Sequence, residues 1–121
     1  MQALSFIFLG EPASKANSRR AVIIGGMSRF IKSKKALSYA DAFKHQAGEI
    51  DIAGTNDLIS GDVRVTMHIY YASRRPDLDE SLILDLLQGV AYVNDRQVKE
   101  KHIYWGLDKE NPRSEITVES L

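Results

Sequence analysis

A dense group of acidic residues beside two arginines is the part of this sequence best suited to chemistry. Asp77, Asp79 and Glu80 follow Arg74-Arg75 closely, and Asn94-Asp95 lies a short way downstream. Hard cations such as Mg²⁺ take oxygen ligands and usually only one or two protein carboxylates, which leaves positions for water and a phosphate. Guanidinium groups suit that phosphate when it belongs to a nucleic acid. The pattern therefore indicates a divalent metal beside a nucleic-acid backbone.

The spacing of the acids has two interpretations. Asp77 and Asp79 are two residues apart, so extended backbone points both to one face, and Pro76 favours a corner where a strand gives way to a helix. Asp95 lies beyond that helix, and a helix-and-return could bring it back to the pair. A divalent cation would then offset the mutual repulsion of the three carboxylates. Alternatively, the acids only cap a helix, because the first turn of any helix favours Asp and Glu.

Length and composition restrict the class of protein. A chain of 121 residues suits one compact domain, here residues 1–121, and no apolar run is long enough to cross a bilayer. There are no cysteines, which excludes disulfides and cysteine nucleophiles and fits a reducing cytoplasm. Net charge is zero, but residues 1–45 carry eight Lys or Arg against two acids, and the remainder carries eight against fourteen. This asymmetry fits one part that binds phosphate and another that holds a cation, or simply two solvated surfaces.

The hydrophobic pattern predicts an α+β fold in which one mixed sheet carries two helices. The strongest strand is Val63–Tyr71, with strict alternation, and it leads directly into the acidic residues. Ser33 is the predicted N-cap of the first helix, which should end near Ala53-Gly54, and Gly89 closes the second helix as its C′ residue. The remaining expected elements are strands at 4–9, 99–107 and 115–120, a hairpin at 21–31 around Gly25-Gly26, a loop at 12–21 and a short extended piece at 90–93.

Two segments carry a family resemblance. Arg75-Pro76-Asp77-Leu78-Asp79 is followed by an apolar helix that ends at Gln88-Gly89-Val90-Ala91-Tyr92, and then by Asn94-Asp95-Arg96-Gln97-Val98. This arrangement resembles the RusA family of Holliday-junction resolvases, which typically has an Arg-x-Asp-Leu-Asp-Asn corner, a helix and an Asp-Asp-x-Gln-Val element. The residues from Glu11 to Asn17 and Tyr39 resemble the family more weakly.

The resemblance implies a Mg²⁺-dependent endonuclease, for which Mn²⁺ is expected to substitute, acting as a homodimer on four-way DNA junctions in recombination and repair. It also implies a cytoplasmic protein of bacterial or phage origin. Asp77, Asp79 and Asp95 would be the catalytic carboxylates that bind the metal. Two nicks in symmetry-related strands require two sites, which a two-fold dimer supplies. The expected DNA contacts are Lys15, Arg19, Arg20, Arg29, Lys32, Arg74, Arg75 and Lys99.

The chain departs from the family at three points. Glu80 stands where the family has Asn, and is a further candidate ligand, while Asn94 stands where the family has its first acid. The lysine that the family usually carries in the first turn of this helix is missing. Lys99, Lys101 or Arg75 could substitute for it. Without a substitute, the chain would be a DNA-binding dimer of the same fold that does not cut, and if the acids only cap a helix it would be a protein-interaction domain.

Overall fold

The computed structural model of the protein describes residues 3–13, 19–24, 27–50 and 58–121. Within them, the elements follow the order strand, hairpin, helix, strand, helix, strand, strand, as the sequence predicts. Their bounds are β1 Ala3–Leu9, β2 Arg19–Ile24, β3 Met27–Lys32, α1 Lys34–Ile50, β4 Val63–Tyr71, α2 Ser81–Leu86, β5 Val98–Leu107 and β6 Arg113–Ser120.

Four strands form one mixed sheet in the order β1-β6-β4-β5. Strand β6 pairs antiparallel with both β1 and β4, whereas β4 and β5 are parallel. Parallel neighbours need a crossover connection, and here that connection contains α2. Strands β2 and β3 form a separate two-stranded sheet. The predicted α+β class with one mixed sheet and two helices is confirmed.

One face of the sheet and both helices share a single hydrophobic core. The alternate residues of β4, from Val63 to Tyr71, are completely buried, because both helices cover the face to which they point. Phe43 of α1 stacks on Phe8 of β1 with ring centroids 3.8 Å apart, and Ile83 of α2 is also fully buried. The apolar face of each helix therefore fixes it against this side of the sheet.

Several local predictions are confirmed and a few are wrong. The Ser33 hydroxyl accepts a hydrogen bond from the Ala36 amide at 3.2 Å, as predicted. Gly89 has a φ of +83°, which favours glycine, but Leu87 is the C-cap of α2, so Gly89 lies one position beyond the C′ site predicted for it. The segment at 12–21 is not a loop throughout, because Arg19 and Arg20 already belong to β2, opposite Lys32 and Ile31. Backbone pairing extends the hairpin beyond its apolar residues.

The segment after α2 differs from its prediction, and two other predicted features fall outside the described residues. Residues 90–93 form a turn rather than an extended piece, with Tyr92 in isolated bridges to Gln88 and Ile59. Gly25-Gly26 and the predicted end of the first helix near Ala53-Gly54 lie outside the described residues.

Candidate active site

The acidic corner, defined here as Pro76–Glu80, connects the carboxyl end of β4 to the start of α2. Asp77 is exposed, whereas Asp79 and Glu80 are partly buried. The predicted position between a strand and a helix is therefore confirmed. The helix begins at Ser81 rather than at Pro76, so the acids lie on irregular backbone before it.

Two aromatic side chains from the sheet hold the backbone of the acidic corner. The Tyr71 hydroxyl donates to the Asp77 carbonyl oxygen and accepts from the Asp79 amide, both at 3.2 Å. The Trp105 indole N–H donates to the Pro76 carbonyl oxygen at 3.2 Å. The two rings lie side by side, with centroids 6.0 Å apart. Because Tyr71 is completely buried in the core, the backbone that carries the acids is fixed by the sheet itself.

The environment of Tyr71 keeps its hydroxyl protonated. Burial is the main cause that raises the pKa of this phenol, and the negative charges of Asp79, Glu11 and Glu80 raise it further. The hydrogen bond from the Asp79 amide opposes them. A protonated phenol can donate and accept at the same time, as both contacts with the acidic corner require.

Helix capping accounts for one of the acids. The Asp79 carboxylate accepts hydrogen bonds from the Ser81 amide at 2.9 Å and from the Ser81 hydroxyl at 2.6 Å. Glu80 occupies the N-cap position of α2, but its side chain forms no capping hydrogen bond. The capping interpretation therefore holds for Asp79 and does not explain Glu80 or the exposed Asp77.

The second acidic element, which we call the acidic turn, is Asn94–Gln97. Its final residue binds four backbone groups: the Gln97 side-chain oxygen accepts from the Val93 and Asn94 amides at 2.9 and 3.0 Å, and its nitrogen donates to the Ile59 and Gly61 carbonyl oxygens, both at 2.8 Å. The Asn94 side chain caps the turn by accepting from the Arg96 amide at 2.9 Å. The exposed Asp95 is thus placed on a backbone that neutral side chains hold rigidly.

Helix α2 and the turn that follows it separate the acidic corner from the acidic turn along the chain. This helix has six residues, about 9 Å of axial length. A cleft of about 240 Å³ lies beside it, lined by Leu84, Asp95 and residues 98–101 of β5. The Lys101 ammonium lines this cleft and lies 3.7 Å from a Glu80 carboxylate oxygen, so one lysine connects the two regions.

The acids do not form one tight cluster among the described residues. Within residues 3–13, 19–24, 27–50 and 58–121, no three His, Asp or Glu side chains lie close enough to share a metal ion. In the same part of the chain, Asp77 and Asp95 form no ion pair and are exposed. Carboxylate oxygens are the ligands that Mg²⁺ prefers, and one or two suffice beside water and phosphate. The donor chemistry therefore fits, and the metal-binding roles of Asp77, Asp79, Asp95 and Glu80 stay predictions.

The expected DNA contacts are distributed over several elements. Arg74 and Arg75 are exposed just before the acidic corner, and Lys99 is exposed at the cleft. Arg74 and Arg75 form no ion pair among the described residues, so pairing with Asp77 or Glu80 is not observed. Lys15 and the side chains of β2 and β3, which include Arg19, Arg20, Arg29 and Lys32, lie outside the described part of the structure.

Sequence reasoning missed the residues that position the acids. The hydrophobic pattern places Tyr71 and Trp105 on strands, and nothing in that pattern marks their hydrogen bonds to the acidic corner. The family resemblance includes Gln97 in its Gln-Val element, but it does not indicate the partners of Gln97, because Ile59 and Gly61 are distant in sequence. The Lys101–Glu80 ion pair could not be predicted either, because it depends on how β5 and the start of α2 pack together.

Comparison with known families decides the assignment. The family model described as endodeoxyribonuclease RusA matches residues 10–119. The chain belongs to the RusA family. A search of curated proteins found no significant match. The RusA match includes both acidic regions and all of the elements from β2 to β5. The residues that carry the sequence resemblance to RusA therefore all lie inside the matched range.

Two departures from the RusA pattern now have structural roles. Asn94, in place of an acid, caps the acidic turn, as described above. Glu80, in place of Asn, points its carboxylate towards Lys101. The RusA assignment thus identifies a nuclease family, and both substitutions in this chain lie beside the candidate active site.

Proposed function

We propose that the protein is a metal-dependent endodeoxyribonuclease that resolves four-way DNA junctions by paired, symmetric nicks. The RusA family match over residues 10–119 carries the proposal. Exposed carboxylates on fixed backbone at the end of β4 support it, because phosphodiester hydrolysis needs donors whose positions do not depend on the substrate. We place its role in recombination and repair, in the cytoplasm of a bacterium or of a phage-infected cell.

Asp77, Asp79 and Asp95 are the proposed metal ligands, and Glu80 is an additional candidate. When bound, Mg²⁺, or Mn²⁺ in its place, would supply Lewis-acid activation of the phosphate and lower the pKa of a water. The protein's own contribution is positional: Tyr71 and Trp105 fix the acidic corner, and Gln97 fixes the acidic turn. In the proposed step, the water oxygen would bond to phosphorus and the bridging P–O bond would break. The attacking water would give up a proton, and the leaving oxygen would take one up to become the free hydroxyl at the nick.

Basic side chains would hold the DNA on both sides of this site. Arg74, Arg75 and Lys99 border the acidic regions, and Lys15, Arg19, Arg20, Arg29 and Lys32 would extend the contact along the basic first half of the chain. The negative slope of log K against log salt should become shallower by about 0.9 for each phosphate contact that is lost. Arg74→Ala with Arg75→Ala should therefore make the slope less negative by about 2, which a filter-binding series in salt would measure.

A two-fold homodimer would supply the two sites that paired nicks need. Light scattering should give twice the monomer mass of 13.6 kDa. No helix among the described residues is long and apolar enough to cross a membrane.

The decisive experiment is cleavage of a synthetic four-way junction with Mg²⁺ or Mn²⁺, with linear duplex as the control substrate. Wild-type protein should nick two opposing strands at symmetric positions. Asp77→Asn should bind the junction but cut at least about 100-fold more slowly. Asp41→Asn, which removes an exposed carboxylate from α1, is the matched control and should cut like wild type.

The second candidate, a junction-binding dimer that does not cut, has one supporting observation. The first turn of α2, Ser81-Leu82-Ile83-Leu84, lacks the lysine expected of the family. That candidate would be favoured if wild-type protein bound junctions in a salt-sensitive way and neither metal produced nicks. No binding to DNA at low salt would contradict both candidates and favour a protein-interaction domain.

A further inference from the structure

An extra residue in β5 changes which side of the sheet its side chains face. The β4–β5 ladder pairs Val98 with Val63 but then skips Lys99, so that Lys101 pairs with Val65. Val63 and Val65 are both buried on the helix side of the sheet. In a regular strand, residues three apart face opposite sides. The bulge at Lys99 therefore turns Lys101 towards the helices, together with Val98.

Lys101 is a charged residue on a side of β5 that is otherwise apolar. The next residues on the same side of β5, Ile103 and Trp105, pack against the hydrophobic core. An inward-pointing charge on an edge strand can serve simply to block pairing with another sheet, and β5 is an edge strand. That role requires neither an acidic partner nor a cleft, and Lys101 has both.

The contacts of Lys101 place it between the acidic corner and the acidic turn. Its ammonium lies 3.7 Å from Glu80, with 51% of the lysine side chain and 19% of the glutamate side chain exposed. Ion pairs this exposed contribute little to stability, so stability alone does not account for the pair. The same side chain lines the cleft of about 240 Å³ that also contains Asp95.

A phosphate in this cleft would lie close to several carboxylates. Asp95 and Glu100 line the cleft together with Lys99 and Lys101, and the Glu80 carboxylate lies against Lys101, so a DNA phosphate would add a further negative charge beside these acids. Lys101 is the basic residue that forms an ion pair with the acidic corner in the described part of the chain. Its ammonium has three donors, so it can hold Glu80 and a phosphate oxygen together.

We propose that Lys101 contacts the scissile phosphate in this cleft and stabilises the negative charge that develops on it during hydrolysis. Glu80 holds the ammonium in place before DNA arrives, and the bulge at Lys99 sets its direction. The inference rests on the proposed nuclease function and adds to it a catalytic residue on β5, outside the carboxylates.

The test compares three lysine variants on the four-way junction under single-turnover conditions. Lys101→Met should cut about 100-fold more slowly than wild type at saturating protein, while the Kd for the junction changes less than about 10-fold. Lys101→Arg keeps the positive charge and should recover part of that loss. Lys109→Met, the same change on the exposed β5–β6 turn, should cut like wild type.

The outcomes separate this inference from the function on which it rests. Wild-type protein that never cuts would overturn both. Wild-type cleavage with Lys101→Met within about threefold of it would overturn the role of Lys101 alone. A Lys101→Met defect that disappears once the junction is saturated would make Lys101 a binding contact only, which also contradicts the proposal. An unchanged thermal midpoint in Lys101→Met would exclude loss of folding as the cause.

Discussion

The acidic corner and the acidic turn each hold an aspartate in place, but they do so with different scaffolds. Each presents an exposed aspartate, Asp77 on irregular backbone and Asp95 at the start of the short 3-10 helix Asp95–Gln97, and in each the backbone is held by neutral side chains rather than by ion pairs. In the acidic corner the holding groups are Tyr71 and Trp105, which belong to the sheet and the core. In the acidic turn the holding group is Gln97, which belongs to the turn itself.

The difference determines how many hydrogen bonds a single substitution removes from each scaffold. A change at Tyr71 alters a core residue but removes only one hydroxyl from the acidic corner. A change at Gln97 removes four hydrogen bonds at once, one within the turn, one to Val93 just before it and two to the segment before β4. A buried aromatic scaffold is therefore robust to the loss of a polar atom, whereas a scaffold built on one amide side chain is not.

The largest expected effect is on the acidic turn. Gln97→Met keeps the length of the side chain but leaves four backbone groups without that partner, which should lower the free energy of unfolding by about 3 kcal/mol. Urea unfolding measures this loss, and the junction assay should show slower cleavage because Asp95 is no longer held.

Gln46→Met is the matched control for Gln97→Met. The Gln46 side chain bonds to the backbone of Leu9 and Ala42, neither of which belongs to the acidic corner or the acidic turn. It should destabilise the protein less and leave cleavage unchanged. Equal losses of stability in the two variants would contradict the difference between the scaffolds.

A smaller effect is expected at the acidic corner. Tyr71→Phe removes the hydroxyl that bridges Asp77 and Asp79, at a cost of about 1 to 2 kcal/mol in the free energy of unfolding. Cleavage should slow by about 10-fold, the lower range for a residue that orients metal ligands. The measurements are urea unfolding and the single-turnover rate, the latter over a range of Mg²⁺ concentrations.

Tyr92→Phe separates positioning from stability in that experiment. Its hydroxyl donates to the Leu84 carbonyl oxygen of α2 at 2.6 Å, and its ring is as deeply buried as that of Tyr71. The two variants should lose similar stability, but only Tyr71→Phe should lose most of its cleavage rate. If both slow cleavage equally, Tyr71 supports the fold and does not position the acids.

Local sequence patterns sufficed for elements whose determinants lie within them. Strand β4 was predicted with its observed bounds because alternation and full burial on one face coincide over nine residues. The cap at Ser33 and the turn at Gly89 depend on one residue each. The position of the acidic corner followed from its place directly after β4.

Features that depend on distant partners could not be predicted in this way. The bulge at Lys99 is set by pairing with β4, and without it Lys101 would be assigned to the wrong face. Two of the four contacts of Gln97 reach back to Ile59 and Gly61, far along the chain. Arg19 and Arg20 were assigned to a loop because their polarity hid backbone pairing with β3.

Trp105 offers a spectroscopic comparison of the two acidic regions. It is the only tryptophan in the chain, and its indole N–H bonds to the acidic corner. Binding of Mg²⁺ or Mn²⁺ at the acidic corner should therefore change the tryptophan emission of wild-type protein. Asp77→Asn should abolish this response, whereas Asp95→Asn should weaken the apparent affinity for the metal while the response remains.

Asp41→Asn is again the matched control and should respond like wild type. An emission change that persists in Asp77→Asn would place the metal away from the acidic corner. A response abolished equally by Asp95→Asn would mean that the acidic turn is as important for metal binding as the acidic corner.

The smallest expected effect is on the pH dependence of the free energy of unfolding. We expect it from a residue that supports the acidic corner and not from the acidic turn. Asp108 follows β5, and its amide donates to the Tyr71 carbonyl oxygen at 2.9 Å, while its carboxylate pairs with Arg113 at 2.7 Å. The hydrogen bond from Arg113 lowers the pKa of Asp108 from its ordinary value of 3.8. A lowered pKa means that the ionised form stabilises the fold.

That contribution is complete above about pH 4 and disappears as the pH falls through the lowered pKa of Asp108. Asp108→Asn should therefore be slightly less stable than wild type between pH 5 and 8, and the two stability curves should converge in acid. The loss caused by Gln97→Met should stay constant over the same range, because none of the four contacts of Gln97 involves an ionisable group. Parallel curves for wild type and Asp108→Asn down to pH 2 would show that acid does not distinguish the two scaffolds.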